Sequence, residues 1–88
     1  MDILLKDHAR LEISRRRLSE ERVIYTAQNP QQTIPLRRGR TAFQSKYHDS
    51  DVDKEMLLRV ICEEKDNIII VITAYRTSKI DKYWVKEG

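Results

Sequence analysis

Two groups of residues in this 88-residue chain carry side chains suited to proton transfer and phosphate chemistry. His8 and Arg16 stand eight positions apart, which on a helix puts them on roughly one side, about 12 Å apart along the axis. A histidine titrating near neutrality is a natural proton-transfer group, and an arginine is a natural phosphate clamp. The simpler alternative is a partly buried structural histidine with a solvated arginine, and spacing alone favours it. The second group is Tyr75, Arg76, Thr77, Ser78 and Lys79, crowded at the end of an apolar run. There Arg76 and Lys79 could neutralise charge on transition-state oxygens, and Tyr75 could stack on a base. A strand end passing into a polar tail would look the same.

Other features are weaker. Arg37, Arg38 and Arg40 surround Gly39 in a basic turn, a candidate polyanion contact. Tyr83 and Trp84 read more readily as a tail docked on the core than as a stacking platform. Asp49, Asp51, Asp53 and Glu55 alternate like the start of a calcium loop. Lys54, however, stands where such a loop needs glycine, and Val60 where it needs glutamate. Cys62, the one cysteine, lies in an apolar run and reads as a small core residue.

The composition narrows the classes. Eighty-eight residues make one domain, 1–88, with a thin core, and one cysteine forbids an internal disulfide framework. The N-terminus turns charged after five residues, unlike a signal peptide, and the longest apolar stretch, Ile68–Ile72, is far short of a membrane span. A cytoplasmic protein without membrane contact is expected. The net charge of +3 is unevenly spread. Residues 1–48 hold ten Lys/Arg against five Asp/Glu, and residues 49–88 hold seven against nine, which suggests a basic region facing a polyanion.

The elements that must position these groups follow from pattern. Asp7 is expected to cap a helix running to about Arg17. Ser19, followed by Glu20 and Glu21, is expected to cap a second helix that Asn29-Pro30 ends. Thr33–Leu36, with Pro35, fits an edge strand or a connector. Strands are expected over Thr41–Tyr47, Met56–Glu63 and Ile68–Tyr75, the last two joined by a tight Lys65-Asp66-Asn67 turn. Alternation in the last strand puts Ile68, Ile70, Ile72 and Ala74 on one face and Ile69, Val71, Thr73 and Tyr75 on the other. The expected fold class is α+β, with two N-terminal helices packed on one face of a three- to four-stranded antiparallel sheet and the other face free for a ligand.

The run His8-Ala9-Arg10-Leu11, then Arg16-Arg17-Leu18-Ser19-Glu20-Glu21-Arg22-Val23 and Asn29-Pro30, resembles a family of small uncharacterised bacterial domains, as does the ending Ile72-Thr73-Ala74-Tyr75-Arg76-Thr77-Ser78-Lys79. The resemblance spans about residues 3–84. Glu12 stands where that family usually shows arginine, and Arg17 where it often shows glycine. The family in turn looks like a relative of the RelE/BrnT-type toxins. That implies a RelE-like fold and a toxin-like, metal-independent endoribonuclease of a toxin–antitoxin system, needing no cofactor and partnered by RNA and an antitoxin-like protein. His8, Arg16, Tyr75 and Arg76 would then be catalytic, with Thr73, Lys79, Arg37, Arg38 and Arg40 binding. The alternative is a non-catalytic RNA- or protein-binding module of the same fold. A third reading is an interaction subunit that uses a free sheet edge; monomer and homodimer both stay open.

Overall fold

The computed structural model describes residues 2–86. In chain order the elements are β1 (Asp2–Leu5), α1 (Asp7–Arg15), α2 (Glu20–Gln28), β2 (Gln32–Pro35), β3 (Arg40–Asp49), β4 (Lys54–Lys65), β5 (Ile68–Thr77) and the single turn α3 (Ile80–Tyr83). The strands form one sheet in the order β1-β5-β4-β3-β2. Strands β2 to β5 pair antiparallel, and β1 lies parallel to β5.

The α+β class stands, but the expected three- to four-stranded antiparallel sheet with two helices does not: there are five strands, one parallel pair and three short helices. The missed strand, β1, has four residues, too few to show alternation. Its pairing of Leu5 with Val71 joins distant parts of the chain and leaves no local trace. Asp7 is not a cap either; it opens α1 in the first turn, behind Lys6.

The helices α1 and α2 cover one sheet face. Ala9, Ile13, Val23 and Ala27 pack there on Phe43, Leu58, Val60, Cys62, Ile69, Val71 and Ala74. Ser19 caps α2 as expected, its hydroxyl accepting from the Arg22 amide at 3.2 Å. Between the helices, the Leu18 amide donates to the Ile13 carbonyl and the Arg17 amide to that of Ser14, with Arg17 at φ 55°. This is a Schellman ending, whose left-handed position usually takes glycine.

The β4–β5 ladder breaks register between Ile61 and Cys62: Ile61 faces Thr73, Cys62 faces Val71, and Ile72 is the extra residue. The bulge overturns the face assignment read from alternation. Ala74, paired with Val60, joins Val71 on the helix side, while Thr73 and Tyr75 turn to the open face. The turn into β5 puts Asp66 and Asn67 at φ 54° and 63°, the left-handed pair a tight hairpin needs.

Cys62 is fully buried, and burial, with Glu64 adding, pushes its thiol up to about 12. A neutral, shielded thiol is a poor nucleophile. The native protein should leave a disulfide-exchange reagent unreacted for hours and release one thiol equivalent only after denaturant is added.

Candidate functional site

The open face of the sheet carries a polar row at its centre. Gln32 on β2 pairs with Gln44 on β3, Gln44 with Arg59 on β4, and Arg59 with Tyr75 on β5, so one cross-strand line spans four strands. Gln44 Nε2 donates to Gln32 Oε1 at 2.8 Å. Arg59 Nε donates to Gln44 Oε1 at 2.9 Å, and its Nη1 to the Tyr75 hydroxyl at 2.5 Å. Directly opposed residues on neighbouring strands lie close enough for such side-chain bonds.

Arg59 is 7% exposed, yet among the described residues no carboxylate lies within ion-pair distance. Its guanidinium instead meets aromatic rings: the Tyr83 centroid is 4.2 Å away and that of Tyr75 is 5.7 Å away. The two tyrosine rings meet edge to face at 6.4 Å. Tyr75 first, joined by Lys82 and Arg59, holds the Tyr83 phenol below its usual 10. Lys46 sits over the Trp84 ring at 4.1 Å and, with Lys79 and Lys82, lines an adjoining hollow. Hydrogen-bonding amides, π faces and cations thus share one surface.

On the helix side a cleft of about 160 Å³ opens between the α1–α2 link and the β3–β4 turn. At its floor Asp49 Oδ2 accepts from the Tyr47 hydroxyl at 2.8 Å and from Arg76 Nη1 at 2.6 Å, while Oδ1 accepts from the Asp51 amide at 2.9 Å. These bonds, that of Tyr47 first, hold the Asp49 carboxyl below its usual range. Burial, with Asp49 adding, pushes the Tyr47 phenol up to about 12. The Asp49 hydrogen bond pushes Arg76 up, so it stays a cation. Arg22 lies over the Tyr47 ring at 4.6 Å.

The residues singled out by sequence fall into separate places. His8 is exposed at the start of α1, its Nε2 3.5 Å from Glu12 Oε1, and Glu12 Oε2 is 3.6 Å from Arg16 Nη2. Arg16 Nη1 then donates to Thr73 Oγ1 at 3.0 Å and to the Ala74 carbonyl at 2.8 Å. His8, Arg16 and Thr73 therefore form a line joined by Glu12, and Arg16 covers the edge of β5 beyond the last β1 pair, Leu5–Val71. Tyr75 belongs to the open-face row, and Arg76, its neighbour, to the helix-side cleft. Lys79 lies beside the open face. Arg37, Arg38 and Arg40 are exposed at the opposite end of β3 from Asp49, roughly 30 Å away by strand rise, where Arg40 pairs with Glu63 at 3.3 Å.

Sequence reading missed Gln32, Gln44 and Arg59. For Arg59 a signal existed: it is a charged residue inside the apolar run Met56–Cys62, which needs a buried partner or a function.

No helix of the described residues is long and apolar enough to cross a membrane. No curated protein and no solved structure matches the chain. One family's sequence model does, and it covers residues 5–76, taking in the whole polar row but not the segment after β5. No match extends the likeness to the RelE/BrnT-type toxins. With most of its length matched, from the end of β1 to Arg76, the chain belongs to the family described as Domain of unknown function (DUF4258).

Proposed function

We propose that this protein is a non-catalytic module that binds single-stranded RNA in the cytoplasm, along the open face of its sheet. The observation that carries the reading is Arg59, a buried cation with no carboxylate within ion-pair distance among the described residues. Burying a charge costs several kcal/mol unless it is paired, and dipoles and π faces offset only part of that. A phosphate would complete the pairing. Lys46, Lys79 and Lys82, set against Glu55 and Asp81 in the same hollow, leave a modest positive field, and Tyr75 offers a ring on which a base can stack. Of the two histidines, His8 stands in the helix layer and His48 is held at the β3–β4 turn by Asp53 at 3.1 Å, which favours binding over proton transfer.

The test is a titration of a labelled single-stranded RNA against salt. Three phosphate contacts should weaken binding about 20-fold between 50 and 200 mM salt, from a slope of roughly −0.7 per contact. Affinity that ignores salt would count against this phosphate-driven mode.

One observation favours a second reading, metal-independent cleavage of the toxin type. Tyr83, its phenol lowered beside Arg59 and Lys82, could take the proton from a 2′-hydroxyl as that oxygen attacks the adjacent phosphorus. Tyr83 would return that proton to the departing 5′-oxygen as the P–O5′ bond breaks, leaving a 2′,3′-cyclic phosphate. An antitoxin-like partner belongs to this reading. RNA cleavage in chelator, with growth arrest on induced expression, would promote it; intact RNA at saturating protein would remove it.

A further inference from the structure

After α3 the chain crosses the open face toward β2, and its contacts fall on the polar row. Gln32 clasps Val85 through two bonds: Nε2 donates to the Val85 carbonyl at 2.6 Å, and Oε1 accepts from its amide at 3.1 Å. Gln44 Nε2 donates to the Tyr83 carbonyl at 3.1 Å. The Tyr83 ring covers the Arg59 guanidinium, and the Trp84 ring covers Lys46. Two cations of the face therefore already have an aromatic ring where a nucleobase would stack, and backbone amides of this segment take up the Gln32 and Gln44 side chains.

We infer that Tyr83–Val85 is an internal occupant of the RNA site, a strap that must leave the face before a phosphate can reach Arg59. The inference rests on the RNA-binding reading of that face. Three features make the strap releasable. It is joined to the sheet by side-chain clasps rather than a strand ladder, it hangs from a helix of one turn, and Val85 is half exposed. Its departure would free Gln32 and Gln44 to hydrogen-bond base edges and uncover the charge on Arg59. Because strap and RNA would contend for the same groups, each weakens the other by the same factor.

Trp84 is the sole tryptophan, so its emission reports the strap directly. The experiment titrates a fluorescein-labelled 12-nucleotide oligouridine into the wild-type chain and Val85→Pro, following anisotropy and Trp84 emission. Val85→Pro removes one strap donor while keeping the Gln32–Gln44 bond, and Trp84 at ψ 124° already has the backbone a following proline requires. Circular dichroism verifies that the variant is folded.

The expected result is about threefold to tenfold tighter RNA binding in Val85→Pro, as the strap's hold is weakened. RNA should also shift Trp84 emission to the red in wild type, and less so in Val85→Pro, whose strap is already loose. Binding that leaves Trp84 emission unmoved, or Val85→Pro binding no tighter than wild type, overturns the strap and leaves the RNA reading standing. Absence of binding even in the strap-released variant overturns both.

Discussion

Arg59→Met is expected to weaken single-stranded RNA binding by about 10- to 100-fold, the cost of losing a charge-assisted phosphate contact. The salt slope should fall by roughly 0.7, one contact's worth. The effect is large because Arg59 sits in a water-poor place, where its charge is poorly screened and a phosphate would be a full counter-charge. Lys82→Ala, at an exposed position on the same side, should cost only about two- to fivefold. Stability should move little. Methionine removes a buried cation, which is favourable, but it leaves Gln44 Oε1 and the Tyr75 hydroxyl without their donor. Anisotropy and a thermal melt measure both quantities; unchanged affinity in a folded Arg59→Met protein would sink the role given to this residue.

Which side of the sheet Tyr75 takes depends on one inserted residue. With Ile72 bulged, Tyr75 and Arg76 exchange the sides that strict alternation would give them. Tyr75 then meets Arg59, and Arg76 meets Asp49. A strand without the bulge would point Tyr75 into the helix-side core beside Val71. The bulge thus completes the polar row with Tyr75 and supplies the helix-side cleft with the cation that Asp49 pairs.

Most elements were legible in the sequence because their signals are local. The cap at Ser19, the stop at Asn29-Pro30, the left-handed pair Asp66-Asn67 and the β-branched run of β5 each act within a few residues. What was hidden depends on contacts between distant segments. β1 exists through its parallel pairing to β5, and the Ile72 bulge is set by the partner strand. The polar row is invisible until Gln32, Gln44, Arg59 and Tyr75 are put in register. The same reason separates the residues that spacing grouped: Tyr75 and Arg76 are adjacent in sequence and on opposite faces. Arg17 is the converse case. Its place where relatives were expected to carry glycine matches a backbone turn at φ 55°, so that departure concerns helix ending rather than chemistry.

Arg76→Ala is expected to lower the thermal midpoint by roughly 10 °C or more, making Arg76 first a residue of the fold. Asp49 is 5% exposed, and removing Arg76 leaves its carboxylate with the Tyr47 hydroxyl and the Asp51 amide but no cation. The pH dependence follows from the same bonds. The Asp49 carboxyl titrates lower in the folded chain than its ordinary 3.8, so its contribution is full above that value and lost as pH falls through the folded one. Without Arg76 the folded value rises toward the ordinary one, and acid unfolding should begin at higher pH than in wild type. Tyr47 acts in the opposite limb. Its phenol is raised from 10 to about 12, so the stability it contributes is whole below 10 and lost between there and 12. Removing Arg76, which lowers that phenol, should leave the alkaline loss no earlier than in wild type. Arg76→Lys, which keeps a positive charge near Asp49, should recover part of the thermal midpoint. Melts from pH 2 to 12 on the three proteins measure each limb. A wild-type midpoint and acid onset in Arg76→Ala would mean that Asp49 does not need its cation, and would return Arg76 to the pool of residues free to act on a ligand.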